Sequence, residues 1–258
     1  MKVVNVKLFI IKCQSLTKFI KKTSENSEVF YFYHMNKKLI INRTIDFVKN
    51  TLRNAEGGHD WFHIERVFNN AKLIVKTEMA DEFIVSLGAL LHDIADSKFH
   101  NGDETIGPKK ATEFLMTQNI DSVVIEHVVQ IIRNISYKTS LSTDSDHSNK
   151  KRFSSKELDI VQDADRLDAI GAIGIARCFN YGGFKNREIF NPEIPPNLKM
   201  TKEEYKNSNA PSVNHFYEKL LLLKDKMNTK TGRTLAAKRH RFMEQYLENF
   251  YAEWDGRI

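Results

Sequence analysis

Apolar residues recur every three or four positions through most of the chain, and this period is typical of helices that bury one face. No stretch alternates polar and apolar residues with the period of two that a half-buried strand needs. The pattern therefore predicts an all-α globule of about eight helices. The predicted helices cover residues 39–52, 60–75, 80–96, 108–118, 123–135, 155–179, 213–227 and 231–254.

Polar segments and segments rich in glycine or proline separate these helices. Paired glycines at positions 57–58 precede the second helix, and Asp81 and Asp121 stand where N-caps are expected. Residues 181–198 contain paired glycines and three prolines, which predicts an irregular segment. Residues 139–151 are strongly polar, and two interpretations stay open: a mobile flap over a site, or a disordered loop.

At 258 residues with 41% hydrophobic residues, the chain is long enough to bury one sizeable core.

The charge of the chain is unevenly distributed. Basic residues outnumber acidic ones, 39 against 33, but six lysines and no acid precede Glu25, so the remainder is nearly neutral. We therefore expect no stable nucleic-acid partner. We predict a poorly ordered basic extension at residues 1–34 and a single domain at residues 35–258.

The sequence predicts neither a membrane partner nor a disulfide framework. It contains no run of eighteen apolar residues, and Cys13 and Cys178 form no CxxC pattern. A reducing, cytoplasmic location is the expectation. The first 24 residues resemble a mitochondrial presequence weakly, since they lack arginine. Three interpretations of this segment stay open: mitochondrial targeting, a plain extension, and an upstream start before Met35.

An imidazole and a carboxylate stand side by side within the apolar pattern of the third helix, as His92 and Asp93. An unpaired polar group on a buried helix face costs roughly 2–7 kcal/mol, and an ionised carboxylate costs more. A bound cation removes this cost. We therefore predict that the His92-Asp93 pair binds a metal ion.

Two further donors complete a candidate ligand set of His63, His92, Asp93 and Asp165, which come from three predicted helices. His63 taken alone also fits a core histidine with a satisfied hydrogen bond. Two nitrogen and two oxygen ligands without thiolates favour Mn²⁺, Mg²⁺, Fe²⁺, Co²⁺ or Ni²⁺ over structural zinc. Four protein ligands on a six-coordinate ion leave positions for a water and a phosphoryl oxygen.

Three ordered motifs carry a family resemblance: His63-x-x-Arg66-Val67, Leu91-His92-Asp93-Ile94 and Asp163-Ala164-Asp165-Arg166-Leu167-Asp168. They resemble the motifs of the HD-domain metal-dependent phosphohydrolase superfamily. The likeness to bacterial-type single-domain HD nucleotide pyrophosphohydrolases runs from residue 38 to 256. A His-Asp dipeptide alone is unspecific, whereas the ordered set is specific.

The resemblance implies a domain layout and a set of roles. It implies an HD core at residues 57–180 and a C-terminal helical part at residues 198–256. It implies one divalent ion, for which we expect Mn²⁺, held by the four residues named above. It also places Asp96 where related nucleotidases position or deprotonate the attacking water, together with Asp93. A solvent-exposed acid at a helix end is the alternative interpretation of Asp96.

Other polar residues near the motifs are expected to support the metal ligands or to bind the substrate. Asp168 is expected to hold the N–H of a ligand imidazole. Arg66 and Lys98 adjoin the metal motifs and are predicted to bind substrate phosphate. His127 lies in the interval where dinuclear relatives use additional histidines, but we expect a single ion.

The resulting expectation is an enzyme, a metal-dependent phosphohydrolase acting on nucleotides or other phosphorylated small molecules. The favoured reaction is hydrolysis of nucleoside or deoxynucleoside triphosphates to the monophosphate and pyrophosphate by a metal-activated water. A nucleoside monophosphate phosphatase or a phosphodiesterase is the alternative. A nucleotide-sensing protein without turnover is disfavoured because the candidate catalytic residues are all present.

Overall fold

The computed structural model describes residues 35–53, 55, 60–95, 103–135, 153–201, 204 and 207–258. Several predicted features therefore lie outside the described residues: the basic extension, Asp96, Lys98 and the whole polar segment at residues 139–151. The assignments made for them stay predictions.

Regular structure in the described ranges is helical throughout, which confirms the predicted all-α class. Helix α1 covers residues 35–51, and the following α-helices are α2 Trp61–Val75, α3 Glu82–Leu91, α4 Ile106–Thr117, α5 Ser122–Asn134, α6 Lys156–Asp168, α7 Gly171–Phe184, α8 Asn214–Glu218 and α9 Lys230–Trp254. A 3-10 helix, Leu220–Lys226, lies between α8 and α9. None of the described helices has the length and apolar character needed to cross a membrane.

Helices α2, α3 and α6 pack against one another and form the centre of the core. The apolar positions that predicted these helices are the ones they bury, among them Ile64, Leu87, Leu90 and Leu167, each with no exposed surface. Burying one such side chain contributes about 1.5–3 kcal/mol. His63 lies on α2, His92 directly follows α3 and Asp165 lies on α6, so the hydrophobic packing brings the candidate ligands together.

The predicted long helix at residues 155–179 is wrong, because two helices occupy this stretch. α6 ends at Asp168, Ile170 is extended, and Gly171 begins α7 with a φ of 77°. Only glycine adopts this left-handed region without strain. A Cβ atom at position 171 would also lie 3.0 Å from the side chain of Arg239. The chain therefore turns here, although the apolar periodicity continues.

Two other predicted boundaries differ from the structure. The third helix ends at Leu91 rather than near Asp96, and His92 is its C-cap, followed by turns to residue 95. The predicted helix at 213–227 is instead the short α8 followed by the 3-10 helix. The predicted N-caps are confirmed, since the carboxylates of Asp81 and Asp121 accept hydrogen bonds from the first backbone amides of α3 and α5.

A buried carboxylate fastens the long C-terminal helix to α6. Asp163 has no exposed surface, and its oxygens accept hydrogen bonds of 2.8 Å from the backbone amides of Asn228 and Thr229 and from the Thr229 hydroxyl. Thr229 is the N-cap of α9, and its hydroxyl in turn accepts from the amide of Gly232. Burial raises the pKa of Asp163 above its usual value, although these hydrogen bonds act in the opposite direction. The start of α9 is thereby fixed to the helix that carries Asp165.

Replacing Gly171 by alanine tests the turn between α6 and α7. We expect Gly171→Ala to lower the free energy of unfolding by about 1–2 kcal/mol, because alanine is strained at positive φ. Gly183→Ala is the matched control within α7, since a Cβ there meets nothing within 4 Å. Alanine at position 183 should be neutral or stabilise by about 0.5–1 kcal/mol. Urea unfolding of both variants measures the difference, and equal stabilities would contradict this interpretation of the turn.

Candidate metal centre

The first candidate ligand, His63, is held in the first turn of α2. Asp60 caps this helix, and its carboxylate accepts a hydrogen bond of 3.0 Å from the backbone amide of His63. The side chain is 3% exposed. The ring therefore has a fixed position on the buried side of the helix.

The other two candidate ligands come from α3 and α6. His92 follows the last residue of α3, and its ring is nearly buried. Asp165 lies in the middle of α6, and its side chain is 40% exposed. The site is thus enclosed by protein on the imidazole side and open to solvent on the carboxylate side.

The three side chains converge on one point. The Oδ1 atom of Asp165 lies 3.6 Å from Nε2 of His63 and 3.9 Å from Nε2 of His92. All three ligand atoms lie within 4.8 Å of one another, so among the described residues this set could hold a metal ion. Metal–nitrogen and metal–oxygen bonds of about 2.0–2.2 Å allow two ligand atoms to be at most about 4.3 Å apart. Both distances to Asp165 fit a shared ion.

Hydrogen bonds to the far side of each ring present the Nε2 atoms to this point. Nδ1 of His92 lies 2.8 Å from the carbonyl oxygen of Ala89, and Nδ1 of His63 lies 2.8 Å from Oδ2 of Asp168. Because both partners are acceptors, each Nδ1 must carry the hydrogen. Each Nε2 then has a lone pair directed at the shared point, which is the arrangement that a metal-binding histidine requires.

Asp168 is the centre of a buried ionic network. It is 1% exposed, and its Oδ1 accepts a 2.6 Å hydrogen bond from Nε of Arg66 while Nη2 of the same guanidinium donates to Oδ2 at 3.0 Å. Arg177 on α7 also donates from Nη1 to Oδ2. Three cationic or N–H partners therefore meet one carboxylate behind His63.

The charges in this network decide the ionisation of Asp168. Burial alone would raise the pKa of this carboxyl group. The hydrogen bonds from His63 and Arg66 and the positive charge of Arg177 outweigh burial and bring its pKa well below the usual range. Asp168 is therefore an anion at neutral pH, which fixes it as a hydrogen-bond acceptor for His63.

Comparisons with known proteins show the family of the chain. The family model described as HD domain matches residues 61–170, and the Bacillus subtilis protein YpgQ is 33% identical over 81% of this chain and 91% of its own length. The chain belongs to the HD superfamily of metal-dependent phosphohydrolases.

Solved structures extend the similarity to most of this HD protein. An HD-superfamily hydrolase from Bacillus thuringiensis is 42% identical to this chain, with a TM-score of 0.67. The alignment covers 85% of this chain and 98% of the other. The structure of Bacillus subtilis YpgQ in complex with ADP is 34% identical in sequence, with a TM-score of 0.65. The alignment covers 84% of this chain and 96% of the other.

Three of the four predicted ligands of the HD site come together in the structure. Asp93, the fourth, is half-buried and directly follows His92, and its place as a ligand stays a prediction. Asp93 lies beyond the end of α3 at Leu91. Asp96 lies outside the described residues, so its role stays a prediction.

The remaining predicted residues of the HD protein lie in different surroundings. Arg66 is engaged by Asp168 through two nitrogens while its side chain remains 33% exposed. His127 lies away from the ligand cluster, where its Nε2 is 3.0 Å from the Ser155 hydroxyl and 3.4 Å from a carboxylate oxygen of Glu157. In the described part of the chain, the cluster geometry therefore involves His63, His92 and Asp165 without His127.

Sequence reasoning missed Arg177. It lies nine residues beyond Asp168, and its contact depends on the turn at Gly171, which the apolar periodicity concealed. In one continuous helix, residues nine positions apart are two and a half turns apart along the axis, so Arg177 and Asp168 would not be expected to meet.

Removing the Arg177 charge should weaken metal binding without removing a ligand. We expect Arg177→Gln to reduce Mn²⁺ affinity by roughly tenfold or more, which is the usual effect of losing a residue that supports a ligand. Arg133→Gln is the control, because Arg133 is exposed and pairs at 4.0 Å with Glu126 on the surface of α5. Isothermal titration of both variants with Mn²⁺ measures the effect. An unchanged affinity in Arg177→Gln would show that Arg177 does not support the site.

Proposed function

We propose that this HD protein hydrolyses nucleoside and deoxynucleoside triphosphates to the monophosphate and pyrophosphate. The observation that carries the proposal is the convergence of two buried imidazoles and one half-exposed carboxylate on a single point. A structural metal site is closed by its protein ligands, whereas a catalytic site keeps positions for solvent and substrate. The 40% exposure of the Asp165 side chain provides that opening.

His63, His92 and Asp165, with Asp93 as the fourth ligand, would hold one divalent ion, and we propose Mn²⁺. The mixed nitrogen and oxygen ligand set without thiolates fits such an ion. When bound, the ion supplies a water of lowered pKa and polarises a phosphoryl oxygen. Asp168 holds His63 in the orientation that this requires.

Carboxylates and cations beside the ligands have separate roles in the proposal. Asp93, besides its place as a ligand, and Asp96 position the attacking water, and Asp96 accepts its proton. Arg66 and Lys98 bind the substrate phosphates. Arg66 and Arg177 together carry two positive charges against the one negative charge of Asp168, and both are about one-third exposed. These two guanidinium groups near the candidate ligands favour an anionic substrate such as a polyphosphate.

The nucleotide class of the substrate is supported by a relative. YpgQ has been crystallised with ADP, and that structure matches 84% of this chain. ADP combines a base with a diphosphate, which is the chemical type of ligand that we propose here. A monophosphate phosphatase and a phosphodiesterase would use the same ligand set but cut a different bond, so product analysis separates these reactions.

A nucleotide panel with Mn²⁺ tests the proposed reaction. We expect the wild-type protein to convert triphosphates to the monophosphate and pyrophosphate, and we expect Asp165→Asn to lose at least about a hundredfold in rate together with Mn²⁺ binding, since an amide is a weaker ligand. Asp159→Asn is the control, because Asp159 is a partly exposed acid on the same helix and lies outside the cluster.

Chromatography of the products with parallel metal analysis decides the outcome. Release of inorganic phosphate from monophosphates would identify the phosphatase alternative. Wild-type protein that binds Mn²⁺ and hydrolyses no nucleotide would contradict the proposal, as would an Asp165→Asn variant with the wild-type rate.

A further inference from the structure

A guanidinium of the C-terminal helix α9 contacts the helix that carries the acidic motif. Nη1 of Arg239 donates to the carbonyl oxygen of Leu167, and Nη2 donates to Oδ1 of Asn70 at 2.9 Å. Leu167 directly precedes Asp168 in the last turn of α6. Arg239 lies outside residues 61–170, the range that the HD family model matches. The matched HD motifs therefore do not account for this contact.

Asn70 extends the contact to a second helix. It is buried on α2, and its Nδ2 donates a hydrogen bond of 3.2 Å to the carbonyl oxygen of Ala164, which directly precedes Asp165 on α6. His63 and Asn70 are seven residues apart, so both lie on the buried face of α2. The amide and the guanidinium together hold this face of α2 against the end of α6 that carries Asp165 and Asp168.

The aliphatic part of Arg239 packs on the turn between α6 and α7. A Cβ atom at position 171 would lie 3.0 Å from Cβ and Cγ of Arg239, so this side chain covers the space that Gly171 leaves open. The same turn brings Arg177 to the Asp168 carboxylate. Arg239 therefore contacts the end of α6 and the start of α7, the two segments that supply Asp168 and Arg177.

The charge of Arg239 is suited to this position. The last carbonyl groups of a helix carry partial negative charge, so a cation beside them is stabilising. Burial lowers the pKa of Arg239 below its usual value, and the negative charge of Asp168 acts in the opposite direction. An arginine stays protonated at neutral pH. The C-terminal end of α6 thus has a permanent positive charge within electrostatic reach of Asp168.

We propose that Arg239 is a positioning residue for the metal centre, because it holds the last turn of α6 where Asp168 keeps the His63 ring in its orientation. The contacts form a continuous series. Arg239 binds the carbonyl group of Leu167, Asp168 is the next residue, and its Oδ2 lies 2.8 Å from Nδ1 of His63. The inference rests on the proposed function only in taking His63 as a ligand of the metal ion.

Titration with Mn²⁺ in the absence of nucleotide measures the effect on the site. We expect Arg239→Gln to reduce Mn²⁺ affinity by roughly three- to tenfold, which is less than the tenfold or more that is usual for a residue in contact with a ligand. Arg233→Gln is the matched control, because Arg233 also lies on α9 and donates to two backbone carbonyl oxygens, those of Met227 and Asn228. The control should keep the wild-type affinity.

The His63 ring provides a readout that a loss of stability alone does not change. Long-range proton–nitrogen NMR correlation spectra of the metal-free protein report the ring nitrogens, and His63→Ala identifies the signals of His63. We expect Arg239→Gln to shift or broaden the Nδ1 signal of His63, because its hydrogen bond to Asp168 is disturbed. The His127 ring, which bonds to Ser155 away from the ligand cluster, should keep its signals.

Arg239→Lys keeps the positive charge but reaches only one of the two acceptors, so we expect a Mn²⁺ affinity between those of the wild type and Arg239→Gln. Thermal melting shows whether each variant is folded, and Arg239→Lys takes both measurements in place of Arg239→Gln if the latter does not fold.

The inference requires both a reduced Mn²⁺ affinity and a changed His63 signal, and a folded variant that shows only one of them, or neither, contradicts it. Since neither measurement uses a nucleotide, a wild type that binds Mn²⁺ and hydrolyses nothing contradicts the proposed reaction alone. A wild type that binds no Mn²⁺ contradicts both proposals.

Discussion

The buried carboxylate of Asp168 is the interaction on which the arrangement of the site depends. It accepts hydrogen bonds from His63 and Arg66 on α2 and from Arg177 on α7, while it belongs to α6 itself. Removing one partner from a buried charge network typically costs about 3–5 kcal/mol, because the remaining charges are left uncompensated. The network therefore joins three helices and at the same time fixes the hydrogen on the ligand imidazole.

The helical period of α6 places its acidic residues on different faces, where they have different roles. Asp163 and Asp168 are buried, with 0% and 1% exposure, and they fasten α9 and the His63 ring respectively. Asp165 lies between them in sequence but about 200° around the helix from Asp163, at the half-exposed position where it faces both imidazoles. One short acidic motif thus supplies an anchor, a candidate ligand and a support for a ligand.

Much of this architecture could be predicted from residue types and spacing. Helical periodicity predicted the all-α class, the adjacent polar residues His92 and Asp93 indicated a cation, and Asp168 was correctly expected to hold an imidazole N–H. The turn at Gly171 could not be predicted, because the apolar pattern runs through it and a single glycine does not reveal a positive φ. The contact of Arg177 depends on that turn and was missed with it.

The central claim is that one ion is shared by the Nε2 atoms of the two histidines and by Asp165. Crystals grown with Mn²⁺ and measured at the manganese absorption edge test it directly. The account predicts a single anomalous peak at about 2.0–2.2 Å from Nε2 of His63, Nε2 of His92 and Oδ1 of Asp165. A peak at His127, or coordination through Nδ1 of either ligand histidine, would contradict it.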